Sequence, residues 1–147
     1  MPTYTSQPSA DNFMQLAAAN TNRGSNTNIG VGESNASTGG NNRALIKFNL
    51  SSIPSKAIVT TATLTLTPIN DLSSNARILR VYRQKRAWVE SQSTWNDYAT
   101  GAGWQTAGGF GANDCEQTSI GDVSISASQT VNVGVDISLT VSAIQEI

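Results

Sequence analysis

The chain has 147 residues, a formal net charge of −1, one cysteine, no histidine and only 13% charged residues. That length suits a single domain able to bury a core without staples. The lone Cys115 excludes an internal disulfide, the lack of imidazole excludes Ser-His and Cys-His nucleophile systems, and the near-zero charge argues against nucleic acid as a partner.

Residues 1–41 read as a loop-rich N-terminal part. Positions 20–42 are dense in Asn, Gly, Ser and Thr, which favour turns, and only Asn28-Ile-Gly-Val-Gly32 offers a short strand. From Asn42, Ala44, Ile46, Phe48 and Leu50 alternate with Arg43, Leu45, Lys47 and Asn49, the period of two that a half-buried strand requires. A second strand follows, in which Ile58, Ala62, Leu64 and Leu66 alternate with Val59, Thr61, Thr63, Thr65 and Thr67, so that its outer face is nearly all threonine. Pro68, with no N–H to donate, stops it. Residues 77–84, 123–125 and 130–135 complete the strands, the last with Val131, Val133 and Val135 on one face. Asp136 is a good N-cap, and Ile137, Val141 and Ile144 recur at helical spacing, which predicts a short amphipathic helix over 137–146. The expected fold is therefore all-β: an antiparallel jelly-roll β-sandwich of about eight strands with one short C-terminal helix, in one domain over 1–147.

All three tryptophans fall in one Gly- and Asn-rich stretch, as Trp88, Trp95 and Trp104. Trp88 directly follows a strand and reads as core. Trp95, Tyr98 and Trp104 sit among turn residues, either as an exposed stacking platform for a glycan or partner, or as a loop packed on itself. Five of the nine basic residues are Arg77, Arg80, Arg83, Lys85 and Arg86. They read as a solvated strand paired with nearby carboxylates, with Arg80 and Arg83 as candidates for an anionic partner such as a uronate-bearing polysaccharide. Glu90 with Asp97, or Asp114 with Glu116, could be drawn as a hydrolase pair, but acids so close in sequence are too common to support that, and no catalytic residue is assigned. Asp114, Glu116 and Asp122 are the candidates for a structural calcium, although no spacing matches an EF-hand; no other cofactor is expected. Asn35-Ala-Ser37 and Asn49-Leu-Ser51 fit the N-glycosylation pattern.

The run Asn42-Arg43-Ala-Leu-Ile46-Lys47-Phe48-Asn-Leu50 through Ile53-Pro54, followed by Ala62-Thr-Leu64-Thr-Leu66, Arg80-Val-Tyr82-Arg83, Trp88-Val-Glu90, Thr94-Trp95-Asn96 and the glycines from Gly101 to Gly109, resembles the DNRLRE-type β-sandwich domain. The resemblance begins near residue 28 and has its main part over 42–147. It implies a jelly roll without catalytic activity, of a kind found as carbohydrate-binding modules and in phage structural proteins. It also implies a Trp-and-Gly turn and a last apolar strand after the segment that starts at Asp136, which this sequence does not have.

Two functions follow as expectations. The first is a non-enzymatic phage virion structural protein, a capsid decoration or accessory subunit, with the major capsid protein among its partners. This expectation draws on a single free-standing module with no leader segment, no catalytic set and a surface rich in Thr, Asn and Gly; if Met1 is the true start, the chain would be made in the host cytoplasm and leave it in a virion. No apolar stretch reaches the length of a membrane span. The alternative is an extracellular carbohydrate-binding module of a polysaccharide-active protein or adhesin, with a surface polysaccharide as its partner. Either the sequence is cut short of that last strand, or the sandwich lacks it and leaves an open sheet edge; in the second case Val131, Val133, Val135, Ile144 and Ile147 are expected at or near an interface, in a homo-oligomer or against the surface the protein decorates.

Overall fold

In the computed structural model, which describes residues 2–34, 40–70 and 75–145, every strand pairing is antiparallel. The strands are β1 (Pro8–Gln15), β2 (Gly32–Ser34), β3 (Gly40–Phe48), β4 (Thr63–Leu66), β5 (Arg77–Val81), β6 (Asp97–Ala99), β7 (Ala102–Gly103), β8 (Gly121–Ile125) and β9 (Val135–Ser138), followed by one helix, α1 (Val141–Gln145). The all-β class with a short C-terminal helix is the one expected. The elements fall into two compact units, Met1–Lys56 with Gln84–Gln117, and Ala57–Arg83 with Thr118–Ile147.

In the first unit, β3 is the central strand of the order β1-β3-β2. The N-terminal part is therefore not mere loop. Phe13 lies opposite Ala44, and Met14 opposite Arg43, so alternate residues sort onto two faces. One face carries Asn12, Met14 and Leu45, all buried; the other carries Phe13, Gln15, Asn42 and Ala44, all half-buried. Apart from Gly40 at its start, the buried residue of β3 is thus Leu45, from the row that alternates with Ala44 and Ile46. Met14 and Leu45 join Trp88, Trp95 and Trp104 in one hydrophobic cluster, with Ala10, Ala19 and Tyr98 packed against it.

In the second unit, β4 pairs with β9 and β5 with β8. Thr63 and Thr65 are exposed while Leu64 and Leu66 turn inward, as the alternation requires. Leu64 faces Ile137, which is 0% exposed. Here the expected helix start gives way to a strand. Asp136 does not cap a helix; it stands opposite Thr65 in the ladder, and its carboxylate accepts the Thr65 hydroxyl at 2.6 Å. The period-two pair Val135 and Ile137, with Leu66 and Leu64 across from it, outweighs the helical spacing of Ile137, Val141 and Ile144, and the helix begins only at Val141. Val131 and Val133 are likewise not on a strand face. They flank Asn132, held at φ 60° with its N–H bonded to the Pro68 carbonyl, in a turn that exposes both valines. Val135 and Ile144 are half-buried, and Ile147 and Asn35 lie outside the described residues.

Candidate functional site

The tryptophan stretch folds inward. Trp95 and Trp104 are 5% and 7% exposed and Trp88 is buried beside them, so of the two readings of Trp95, Tyr98 and Trp104 the structure has the loop packed on its own core and not the exposed stacking platform. Three features turn the rings in. The Trp104 indole N–H donates to the Thr94 carbonyl at 3.0 Å, which removes the cost of burying it. Tyr98 meets Trp104 at a ring separation of 5.6 Å, tilted by 57°. Arg43, on the inward face of β3, lies over both Trp95 and Phe110 at 5.1 Å and donates to the Gly108 carbonyl at 2.8 Å. Gly108 has φ +85°, and any Cβ there would strike Arg43 and the Trp95 ring; glycine is what lets the chain close over the indole.

Polar residues knit the same unit together. Asn12 Nδ2 donates to the carbonyl and hydroxyl of Ser93 at 2.8 and 2.7 Å, and Asn22 Nδ2 reaches the carbonyls of Glu90 and Ser93. Asp114 is fully buried. Its carboxylate accepts the backbone N–H groups of Gln105, Thr106 and Gly111 at 2.9–3.0 Å and faces Arg86 Nε at 3.4 Å. Burial alone would raise its pKa, but those donors outweigh it and hold the carboxyl below its ordinary value of 3.8. Cys115, next to it, is buried, and that burial, helped by the Asp114 charge, pushes its thiol upward.

The calcium candidates are used elsewhere. Asp114 clasps the loop, Glu116 faces Lys85 at 3.6 Å and Asp122 faces Arg80 at 4.0 Å, and among the described residues no three His, Cys, Asp or Glu side chains gather as a ligand set. Glu90 is also committed, accepting the Asp11 N–H at 2.8 Å. The basic stretch behaves as paired surface: Arg80 with Asp122, Lys85 with Glu116, Arg86 with Asp114, and a half-buried, engaged Arg83. A shallow depression of ≈ 450 Å³ opens beside β5, lined by Ala76, Arg77, Ile78, Arg80 and Ser124.

A second depression, of ≈ 490 Å³, was not anticipated from the sequence. Because β1 and β2 pair with opposite edges of β3, the chain between them has to cross the sheet, and it does so over the half-buried face. Arg23 anchors the crossing. Its guanidinium stacks on the Phe13 ring at 5.2 Å and donates to Gln15 Oε1 at 2.5 Å. Gly30 settles on the Phe13 ring edge, where a Cβ would stand 3.3 Å away. The depression so formed is lined by Phe13, Ser25, Asn26, Thr27, Asn28, Ile29 and Gly30, with 25–28 exposed. Arg23 Nε and Asn42 Oδ1 are buried without a hydrogen-bond partner among the described residues. The only sequence signal was composition, a polar turn-rich stretch, with nothing to connect it to Phe13.

No curated protein and no solved structure matches this chain. A family model, carbohydrate-binding module family 96, matches residues 2–145. The match takes in stretches of both units and supports the carbohydrate-binding expectation rather than the virion one. The chain belongs to carbohydrate-binding module family 96.

Proposed function

We propose that this chain is a non-catalytic carbohydrate-binding module serving a polysaccharide-active protein or an adhesin. The observation that carries the reading is the family match over residues 2–145. The charged groups agree with a binding role. Asp114, Glu116 and Glu90, three of the four carboxylates that could be drawn as hydrolase pairs, are tied to backbone or cationic partners. The natural setting on this reading is extracellular, where polysaccharide is presented. One family model spanning stretches of both units also supports treating them as one module. The test is co-sedimentation with insoluble polysaccharides, together with a glycan array and an assay for released reducing ends. Binding without product release is the expected outcome. A chain that binds no glycan, or that cleaves the glycan it binds, overturns the reading.

A further inference from the structure

We propose that Asn49 is an N-glycosylation acceptor, whose side-chain amide takes an oligosaccharide from a lipid-linked donor as the chain is exported. The proposal rests on the extracellular setting given above and is independent of what the module binds.

Of the two Asn-X-Ser patterns in the chain, Asn35-Ala-Ser37 falls outside the described residues, and Asn49-Leu-Ser51 follows β3 directly. Phe48 closes β3 and stands opposite Pro8, the first residue of β1, so the ladder ends just before the acceptor. Residues 49–62 belong to no strand, and a turn from the Ile53 N–H to the Leu50 carbonyl at 2.9 Å holds the start of that segment. Asn49 and Ser51 are exposed, while Leu50 between them is half-buried. The segment therefore turns both polar side chains of the pattern to solvent. An acceptor asparagine has to lie on open surface chain of this kind, because the enzyme must reach it and the attached glycan is bulky.

The amide is also arranged for the reaction. Asn49 Oδ1 accepts the Ser51 N–H at 3.0 Å, which bends the side chain into a local turn, and the Ser6 hydroxyl donates to the Asn49 carbonyl at 3.3 Å. With Oδ1 turned to the backbone, Nδ2 is left without a partner among the described residues. A hydrogen bond accepted at the oxygen draws density from the amide and eases loss of a proton from the nitrogen. The Ser51 hydroxyl, two positions on, is the group the pattern requires, and it too is free among the described residues. In the step itself, Nδ2 attacks the anomeric carbon of the donor oligosaccharide. The bond from that carbon to the lipid diphosphate breaks, the diphosphate leaves with the electron pair, and Nδ2 gives up one proton; nothing is oxidised or reduced. The attachment point stands clear of the depression over Phe13: Ala44, across from Phe13, lies roughly 16 Å back along the chain.

Peptide mapping of the full chain, recovered from the cells that make it and from their surroundings, tests this. Release of N-linked glycans by peptide N-glycosidase in heavy-oxygen water leaves a labelled aspartate wherever an asparagine carried a glycan. Trypsin cuts after Lys47 and Lys56, so Asn49 is the one asparagine of its peptide and is read apart from Asn35. The expected result is label at Asn49 in the exported chain. Ser51→Ala should lose it and Ser51→Thr should keep it, with the thermal midpoint of both unmoved because the side chain is exposed. Exported chain without label at Asn49, or with label in the Asn35 peptide alone, overturns the acceptor while leaving the extracellular setting standing. Label that survives Ser51→Ala shows a reaction that ignores the hydroxyl and overturns enzymatic transfer. Chain found wholly inside the cell and unlabelled overturns the extracellular setting and the acceptor with it.

Discussion

The two units close antiparallel strands with different materials. Met1–Lys56 with Gln84–Gln117 packs three indoles around Met14 and Leu45, and it also buries Asn12, Ser93 and Asp114 completely, each hydrogen-bonded within the unit. Among its described residues, Ala57–Arg83 with Thr118–Ile147 has Ile120 and Ile137 as its buried hydrophobics and leaves Ile58, Ile69, Ile78, Val131 and Val133 exposed. A buried polar network is strong when every member is satisfied and fails sharply when one is lost. An alternating threonine–leucine ladder has no such dependence. The cost of a substitution should therefore follow the unit it falls in and the partners it leaves behind, more than the size of the side chain removed.

The tryptophans test that contrast most strongly. Trp104→Ala removes a buried ring, its contact with Tyr98 and the bond to the Thr94 carbonyl, and should cost about 3–5 kcal/mol. Urea unfolding should show a lower midpoint with an unchanged slope. A loss under about 1 kcal/mol would mean that the ring is exposed in solution and would restore the stacking platform. Ile137→Ala is the counterpart in the other unit, at about 2–5 kcal/mol for a fully buried aliphatic.

Asp114 comes next. Burial pushes its pKa up, but the N–H groups of Thr106, Gln105 and Gly111 and the Arg86 side chain together bring it below the ordinary 3.8. The folded chain therefore takes up this proton less readily than the unfolded chain. Stability from this group is fully present above the unfolded value and is lost as pH falls through the lower, folded one. Unfolding free energy measured from neutral pH into acid should hold steady and then fall below the ordinary carboxylate range. Asp114→Ala should flatten that acid limb and cost about 3 kcal/mol at neutral pH, because it leaves backbone donors unpaired. An acid limb identical in the variant would show that other carboxylates carry it. A smaller loss, about 1–3 kcal/mol, is expected of Gly108→Ala, whose Cβ meets the Trp95 ring at 2.7 Å on a left-handed backbone, read by the thermal midpoint and Trp fluorescence.

What the sequence made legible was local. The threonine face of β4, its stop before Pro68, and the strands at β5 and β8 all follow from neighbours along the chain. What it hid depends on partners far away. β1 reads PSADNFMQ, with hardly a β-former, and its buried Asn12 makes sense only beside Ser93, 81 residues on. Trp95 turns inward because Gly108 and Arg43 close over it, and neither choice is written near the ring. The segment after Val135 fits both a helix and a strand; Leu64 and Leu66 decide for the strand. The Phe13 depression exists because β2 pairs on the far side of β3, and pairing order is not a property of any one segment.

The smallest effects are expected on the exposed apolar side chains of the second unit. Ile58 is 80% exposed and Val133 is exposed beside the turn at Asn132. Ile58→Ser and Val133→Thr remove apolar surface that folding does not bury, so each should shift unfolding by less than about 0.5 kcal/mol. The measurement is most telling across protein concentration. If these side chains meet only solvent, both variants match the parent at every concentration, in melting and in sedimentation. If Val133 is covered by a second copy, the parent gains stability with concentration by mass action while Val133→Thr does not. In that case the cheap substitutions of this unit become costly for a reason outside the unit, and the contrast between the two halves would hold for the single chain alone.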